Sequence, residues 1–304
     1  MAIIPPYLKP GDTIGMICPS GCMPPEKIQR CMNMLQQWGF TVKQGKTLGT
    51  QCSYFSGTDE DRLNDLQTML DDEAVKAIFC ARGGYGLSRI IDNINFEKFV
   101  QHPKWIIGYS DITLLLSHVH SNYNIASLHA PMASAFNDME EGEGYIQSIF
   151  NSITGQPQFY TISAHALNRN GLAQGELSGG NLALLAHIVG SASDIDTKNK
   201  ILFIEDIGEY LYNVDRMLLQ LKRAGKLDGL AGFIVGRFAD MKDTAIPFGQ
   251  ELYELIFDKV KEYTYPVCFG FPVGHVKENY ALKVGTNFRF NVNGDAVTLA
   301  EQAG

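Results

Sequence analysis

The stretch Lys104-Trp105-Ile106-Ile107-Gly108-Tyr109-Ser110-Asp111-Ile112-Thr113-Leu114-Leu115-Leu116 constrains the fold more than any other part of the chain. An apolar run short enough for one buried strand meets a corner of small and polar residues, and a second apolar run follows at once. A strand that turns directly into a helix belongs to a parallel α/β sheet, whose connections must cross back over one face. Gly108 relieves crowding on the strand side, and Asp111 suits the positive first turn of a helix. A hydroxyl at the apex of such a corner is exposed, with the following backbone N–H groups turned toward its target. That is how a nucleophile elbow is built. Ile112 stands where the usual elbow has a second glycine, so a helix N-cap role for Ser110 stays open.

The flanking sequence repeats the pattern. Thr13-Ile14-Gly15-Met16-Ile17-Cys18 reads as a buried strand ended by Pro19-Ser20-Gly21. Over residues 25–38, Ile28, Met32, Leu35 and Trp38 recur at helical steps until Gly39 stops the helix. Phe40-Thr41-Val42 resumes a strand, and residues 59–70 give a helix with Leu63, Leu66 and Leu70 facing inward. Val75-Lys76-Ala77-Ile78-Phe79-Cys80 and Trp105-Ile106-Ile107-Gly108 are further strands. This alternation predicts a doubly wound parallel sheet, which binds ligands beyond the carboxyl ends of its strands. The loop at Arg82 and Ser110 both fall at such ends. Residues 156–174 are polar and turn-rich, and read as the crossing between an N-terminal domain (1–155) and a C-terminal domain (175–304). The latter mixes strands at 201–204, 232–236 and 289–292 with helices over 182–189 and 212–224. A smaller α/β domain of different topology is expected there.

Composition narrows the partners. The 304 residues, 45% hydrophobic and 19% charged, suit a soluble globular protein with two cores. A formal net charge of -8 argues against nucleic acid and anionic membranes. No apolar stretch reaches the roughly 18 residues of a membrane span, and the start Met1-Ala2-Ile3-Ile4-Pro5-Pro6 lacks the pattern of a signal peptide. The six cysteines (Cys18, Cys22, Cys31, Cys52, Cys80, Cys268) have no disulfide-framework or zinc spacing. A cytoplasmic protein with reduced thiols is expected. His-Glu-x-x-His is absent and no Cys/His cluster has ligand spacing, so neither a metal nor another cofactor is expected.

A serine at neutral pH needs a base, usually a histidine oriented by a carboxylate. Of seven histidines, His275 in Phe271-Pro272-Val273-Gly274-His275-Val276 follows a Pro-Gly-punctuated loop from which a side chain can enter a cleft. A plain surface histidine is the alternative. His129, in Leu128-His129-Ala130-Pro131, competes as base or as a substrate contact, while His102, His118, His120, His165 and His187 read as surface residues. Ile201-Leu202-Phe203-Ile204-Glu205-Asp206 ends a buried strand in two acids, which is costly unless one is paired or functional. Strand side chains alternate, so only one of them faces a given cleft; a turn-capping acid is the alternative. In Ala81-Arg82-Gly83-Gly84-Tyr85-Gly86, backbone N–H groups can converge on an anion. The segment lacks a Gly-Lys-Ser/Thr ending and does not fit Gly-x-Gly-x-x-Gly. An oxyanion hole built from one of its N–H groups and that of Asp111 fits Ser110 better, with a tight turn as the alternative. Ser178-Gly179-Gly180-Asn181 offers N–H groups or an amide to the cleft, or a helix cap.

In this order, the segments from Leu8-Lys9-Pro10-Gly11-Asp12 to Val284-Gly285 resemble the LD-carboxypeptidases. That serine peptidase family includes muramoyl-tetrapeptide carboxypeptidase and the microcin C7 self-immunity peptidase. Its most specific echoes are the 81–86 loop, Gly108-Tyr109-Ser110-Asp111, Ser178-Gly179-Gly180-Asn181-Leu182, Glu205-Asp206-Ile207-Gly208-Glu209, the Arg216-Met217-Leu218-Leu219-Gln220-Leu221 helix and Gly274-His275. The resemblance implies a flavodoxin-like N-terminal domain, a C-terminal β/α domain and a cleft between them. It implies a Ser110–Glu205–His275 triad, an oxyanion hole from the N–H groups of Asp111 and Gly84, and a homodimer. Substrate contacts are expected from Arg82, Gly83, Tyr85, Asn181 and Lys277, with Arg82 or Lys277 meeting a substrate carboxylate; for Arg82 a structural ion pair is the alternative. The implied reaction releases the terminal D-alanine of a murein tetrapeptide. Two other readings remain: an immunity-type peptidase cleaving an aminoacyl-nucleotide or peptide-nucleotide amide, and a non-catalytic α/β protein that binds an anion. Lys283 departs from the family, where many members have proline, and reads as part of a turn.

Overall fold

The computed structural model describes residues 2–302, with residues 138–143 described by their backbone alone. The chain begins with five parallel strands: β1 (Thr13–Ile17), β2 (Thr41–Gln44), β3 (Val75–Cys80), β4 (Trp105–Gly108) and β5 (Ser127–His129). Helices α1 (Gln29–Gln37), α2 (Asp59–Asp71), α3 (Glu97–Gln101) and α4 (Thr113–Tyr123) connect them, and α5 (Met139–Ile153) leads onward. Their lateral order, β2-β1-β3-β4-β5, is that of flavodoxin-like doubly wound sheets. The central strands β1, β3 and β4 are largely apolar and buried because both faces are covered, whereas the edge strand β2, Thr-Val-Lys-Gln, has no buried residue. Ala77, Phe79, Trp105 and Ile107 belong to one core, while Ile78, Cys80 and Ile106 point into the other, the period of two that a pleated strand imposes.

The second half contributes β6 (Phe159–Ser163), β7 (Gly171–Asn181), β8 (Ile201–Ile207), β9 (Gly232–Ala239) and β10 (Val267–Gly274), then β11 (Leu282–Val284), β12 (Asn287–Val292) and β13 (Ala296–Glu301). Helices α6 (Leu182–His187), α7 (Leu211–Arg223) and α8 (Leu252–Val260) lie between them. The second sheet runs β10-β9-β8-β7-β12-β13-β6. Strands β7 to β10 are parallel, whereas β12, β13 and β6 add an antiparallel flank. Residues 156–174 therefore carry an edge strand and the start of β7. Their alternation of exposed and buried residues, as in Phe159, Tyr160 and Thr161, gives no continuous apolar run and so reads as a loop.

Strand β11 leaves the second half and pairs antiparallel with β5, joining Leu282 to His129, Lys283 to Leu128 and Val284 to Ser127. Lys283 is thus a strand residue and not part of a turn. Its ammonium is almost completely buried, 2.9 and 3.0 Å from the two Glu301 carboxylate oxygens and 5.2 Å from the centre of the Tyr7 ring. A buried charge persists only with such partners.

Helix α4 packs against α6 and β7, which corrects the surface reading of two histidines. His118 and His120 are buried. Nδ1 of His118 lies 2.9 Å from Ser193 Oγ, and Nε2 of His120 lies 2.8 Å from Glu176. Among the described residues no helix is long and apolar enough to cross a membrane.

Candidate active site

Ser110 opens a short 3-10 turn (Ser110–Ile112) between β4 and α4, after an extended Tyr109. Its φ is +63°, a left-handed conformation that costs a non-glycine residue about 1–3 kcal/mol. The sharp turn leaves Ser110 half-buried. Neither the 3-10 turn nor α4 carries a side-chain cap, so the N-cap alternative is not adopted. Gly83 abuts the serine from the β3 loop: a Cβ there would stand 2.9 Å from Ser110 Cβ and 3.1 Å from its Oγ. Gly83→Ala is expected to push loop and nucleophile apart and to lower kcat/KM by about 10²-fold with the fold retained, as steady-state kinetics and circular dichroism would register.

Three strand-end loops are laced together around this point. The buried Asp111 carboxylate accepts 2.6 Å from Ser20 Oγ, after β1, and 2.9 Å from Leu87 N, after β3. Burial pushes its pKa up, against the lowering effect of those two hydrogen bonds. Gly21 N donates to Gly83 O at 2.9 Å. From α2, the fully buried Arg62 guanidinium donates to Pro19 O and Gly86 O at 2.9 and 3.0 Å, pairs with Asp59 and covers the Phe55 ring. Ser20 and Arg62 escape motif reading, because neither lies in a chemistry-bearing motif.

Glu205 lies on β8, and His275 directly follows β10. Glu205 sits near the end of β8, fully buried, and its Oε2 is 2.7 Å from His275 Nδ1, with the imidazole 14% exposed. The register of β8 against β9 shifts between Ile204 and Asp206, the kind of irregularity that re-aims a side chain beside a site. Gly274 permits the approach: a Cβ there would lie 3.0 Å from Glu205 Cβ and 2.6 Å from Arg237 O. The neighbouring acid faces elsewhere. Asp206 accepts from Asn181 Nδ2 at 2.8 Å and from the N–H groups of Ala183 and Ile207 at 2.9 and 2.8 Å. Burial, then the charge of Glu205, pushes its pKa up to about 7. Burial alone would lower the His275 pKa, but the hydrogen bond and charge of Glu205, helped by Asp206, leave it raised above 6.5.

The remaining candidates divide. Arg82, Gly84 and Tyr85 are exposed on the β3 loop, Gly84 with φ +98°, and Lys277 is exposed two residues beyond His275. Asn181 is a correction: it is buried, caps α6 through Leu184 N at 3.2 Å and binds Asp206. Its amide is committed within the fold. His129 is fully buried behind Tyr109, with ring centroids 5.6 Å apart. Among the described residues neither of its ring nitrogens has a protein hydrogen-bond partner. Burial lowers its pKa to about 4, so near neutrality it is uncharged.

With this geometry in place, known proteins supply a context. Residues 14–130 match the LD-carboxypeptidase N-terminal domain and residues 174–290 the LD-carboxypeptidase C-terminal domain. A probable murein peptide carboxypeptidase of Bacillus subtilis is 37% identical over 290 residues, covering 94% of this chain and 91% of that protein. The chain belongs to the LD-carboxypeptidase family. As a member, it is a carboxypeptidase-type enzyme whose two halves follow the family's layout. The crystal structure of a muramoyltetrapeptide carboxypeptidase from Oxalobacter formigenes superposes with a TM-score of 0.87 at 27% identity, covering 96% of this chain and 99% of that one. A microcin C7 self-immunity protein bound to adenosine monophosphate shares the fold, with a TM-score of 0.86 at 24% identity over 97% of this chain and 98% of its own. The LD-carboxypeptidase fold thus serves relatives with different names.

Proposed function

We propose that this enzyme is a serine carboxypeptidase that hydrolyses the LD-peptide bond of murein tetrapeptides and releases the terminal D-alanine. The observation that carries the reading is the 2.7 Å contact of buried Glu205 with His275 Nδ1. It is supported by the ring of Tyr109, the residue before Ser110, 4.7 Å from the His275 ring, and by the serine's φ of +63° on a strand-to-helix turn. Glu205 fixes the imidazole with its Nδ1 proton inward, which leaves Nε2 to take the Ser110 proton as Oγ attacks the peptide carbonyl. The tetrahedral oxyanion meets the N–H of Asp111, in the first turn of its helix where N–H groups lack intrahelical partners, and the N–H of Gly84. The imidazolium then protonates the departing D-alanine amine, and water hydrolyses the acyl-enzyme by the reverse sequence. Arg82 and Lys277, exposed on loops near Ser110 and His275, are the cations for the substrate's terminal carboxylate. Gly83 and Tyr85 line the same side. The enzyme works as a cytoplasmic homodimer in this reading.

The murein reading is preferred to a nucleotide-linked amide. The relative named a probable murein peptide carboxypeptidase shares 37% identity against 24% for the self-immunity protein. Neither tryptophan offers a nucleobase a stacking face, Trp105 being fully buried and Trp38 packed against Phe136 and Phe150; Tyr54 and Tyr85 are the exposed rings near the β3 loop. The test is to incubate the protein with a murein tetrapeptide and follow free D-alanine by mass spectrometry. Release that survives a chelator is expected. No release, or release lost on chelation, removes the serine mechanism. The pH profile is the companion measurement. Only the neutral imidazole is a base, so kcat/KM rises as pH climbs through the His275 pKa. Because that pKa is raised, the acid limb should lie above 6.5.

A further inference from the structure

Tyr109 separates Gly108, the last residue of β4, from Ser110, and the acyl transfer described above uses no part of its ring. That ring lies 4.7 Å from the His275 imidazole, centroid to centroid, with the planes at 54°. On its other side is His129, at 5.6 Å and 60°. His129 in turn meets Phe203 edge-on at 5.0 Å, and Phe203 stands two residues before Glu205 on β8. Four rings, His275, Tyr109, His129 and Phe203, thus form a tier from the cleft to the strand that carries the carboxylate. Its lower two members are fully buried, so the base of the tier is fixed by the core.

We propose that Tyr109 is a positioning residue, its ring holding the His275 imidazole against Glu205 while its backbone presents Ser110. The proposal rests on the Ser–Glu–His reading. One residue then links base and nucleophile, because the ring against His275 and the backbone that leads into Ser110 are carried by the same Cα. Rings at these distances attract in tilted geometries, and an aromatic face attracts a cation more strongly than a neutral ring. The contact therefore strengthens as His275 gains its proton, when the transition state needs it. Glu205 on β8 and Tyr109 from the elbow are in contact with His275, while the charge of Asp206, turned away on β8, and His129 on β5 act on it from farther off. His129 stays uncharged, so it backs the tyrosine ring without repelling the imidazolium or competing for Glu205.

The experiment compares Tyr109→Phe with Tyr109→Leu in the full chain. It measures kcat, KM and the pH profile on a murein tetrapeptide, and the titration of His275 by NMR. Tyr109→Phe should stay within about twofold of the parent, since it keeps the ring. Tyr109→Leu should lose on the order of tenfold to a hundredfold in kcat, the cost of a misplaced catalytic group, with KM little changed. Its acid limb and its His275 titration should both move to lower pH. If the leucine variant does not fold, Tyr109→Met, unbranched and adaptable, carries the same readout. Parent-like kcat and an unmoved titration in the ringless variants overturn the positioning role, as does a phenylalanine variant that loses as much as leucine. A parent enzyme whose acid limb does not follow the His275 titration overturns the triad reading and this proposal with it. A parent that does follow it, with no response in the variants, removes the proposal alone.

Discussion

Ser110→Ala is expected to lower kcat on a murein tetrapeptide by roughly 10⁴- to 10⁶-fold, with the fold intact. Removing Oγ eliminates the atom that bonds the acyl group, and no neighbouring hydroxyl takes its place: Ser20 Oγ is committed to Asp111 at 2.6 Å. The fold is spared because the half-buried side chain makes no cap for the turn it opens. Alanine inherits the φ of +63° and its strain, whereas Ser110→Gly should relieve it and raise stability by about 1 kcal/mol. Comparing the two inactive variants by thermal unfolding separates the chemistry of the hydroxyl from the cost of the elbow. Activity in the alanine variant within tenfold of the parent would remove the serine from the mechanism.

Glu205→Gln is the second large effect, a loss in kcat of roughly 10³- to 10⁴-fold. Glutamine fills nearly the same volume at the end of β8 but brings no charge. It can also present its amide N–H to His275 Nδ1, which favours the tautomer with the proton on Nε2, the wrong nitrogen for a base. The carboxylate's hydrogen bond and charge are what raise the His275 pKa against the effect of burial, so the residual activity should show an acid limb at lower pH than the parent. Asp206 does not take over, since its carboxylate is held by Asn181, Ala183 and Ile207. A glutamine variant with the parent's rate and pH profile would show that Glu205 does not orient the base.

The parallel sheet and its strand-end loops were legible from alternating apolar runs and glycine-rich corners. Residues that depend on tertiary partners were not. The buried face of α2 is Arg62, Asp65, Leu66, Met69 and Leu70, displaced from the Leu63, Leu66 and Leu70 stripe because two charged residues occupy it. Both have backbone partners from other elements, Arg62 in Pro19 and Gly86 and Asp65 in the N–H groups of Lys46 and Thr47 at 3.0 and 2.8 Å. These partners lie 18 to 43 residues away in the chain, so hydrophobicity alone cannot find such a buried charge. The residue pattern alone leaves Glu205 and Asp206 open, and the family resemblance is what favours Glu205; a register shift against β9 lies between Ile204 and Asp206, which no local pattern encodes. The segment before His275 reads as a Pro-Gly-punctuated loop, yet Phe271, Pro272, Val273 and Gly274 form the irregular end of β10, and His275 follows directly on it. His118 and His120 were misplaced because the segment that covers α4 comes from the other half of the chain.

The pairing of β11 with β5 has a consequence for biosynthesis. Translation delivers residues at about 5–20 per second, so on the order of ten seconds separates the emergence of His129 from that of Leu282. Throughout that interval the nascent polypeptide exposes an unpaired β5 rim, a template for mispairing with other chains. The first sheet is therefore completed late, by a strand that reaches back from residues 282–284 to clasp a rim laid down much earlier.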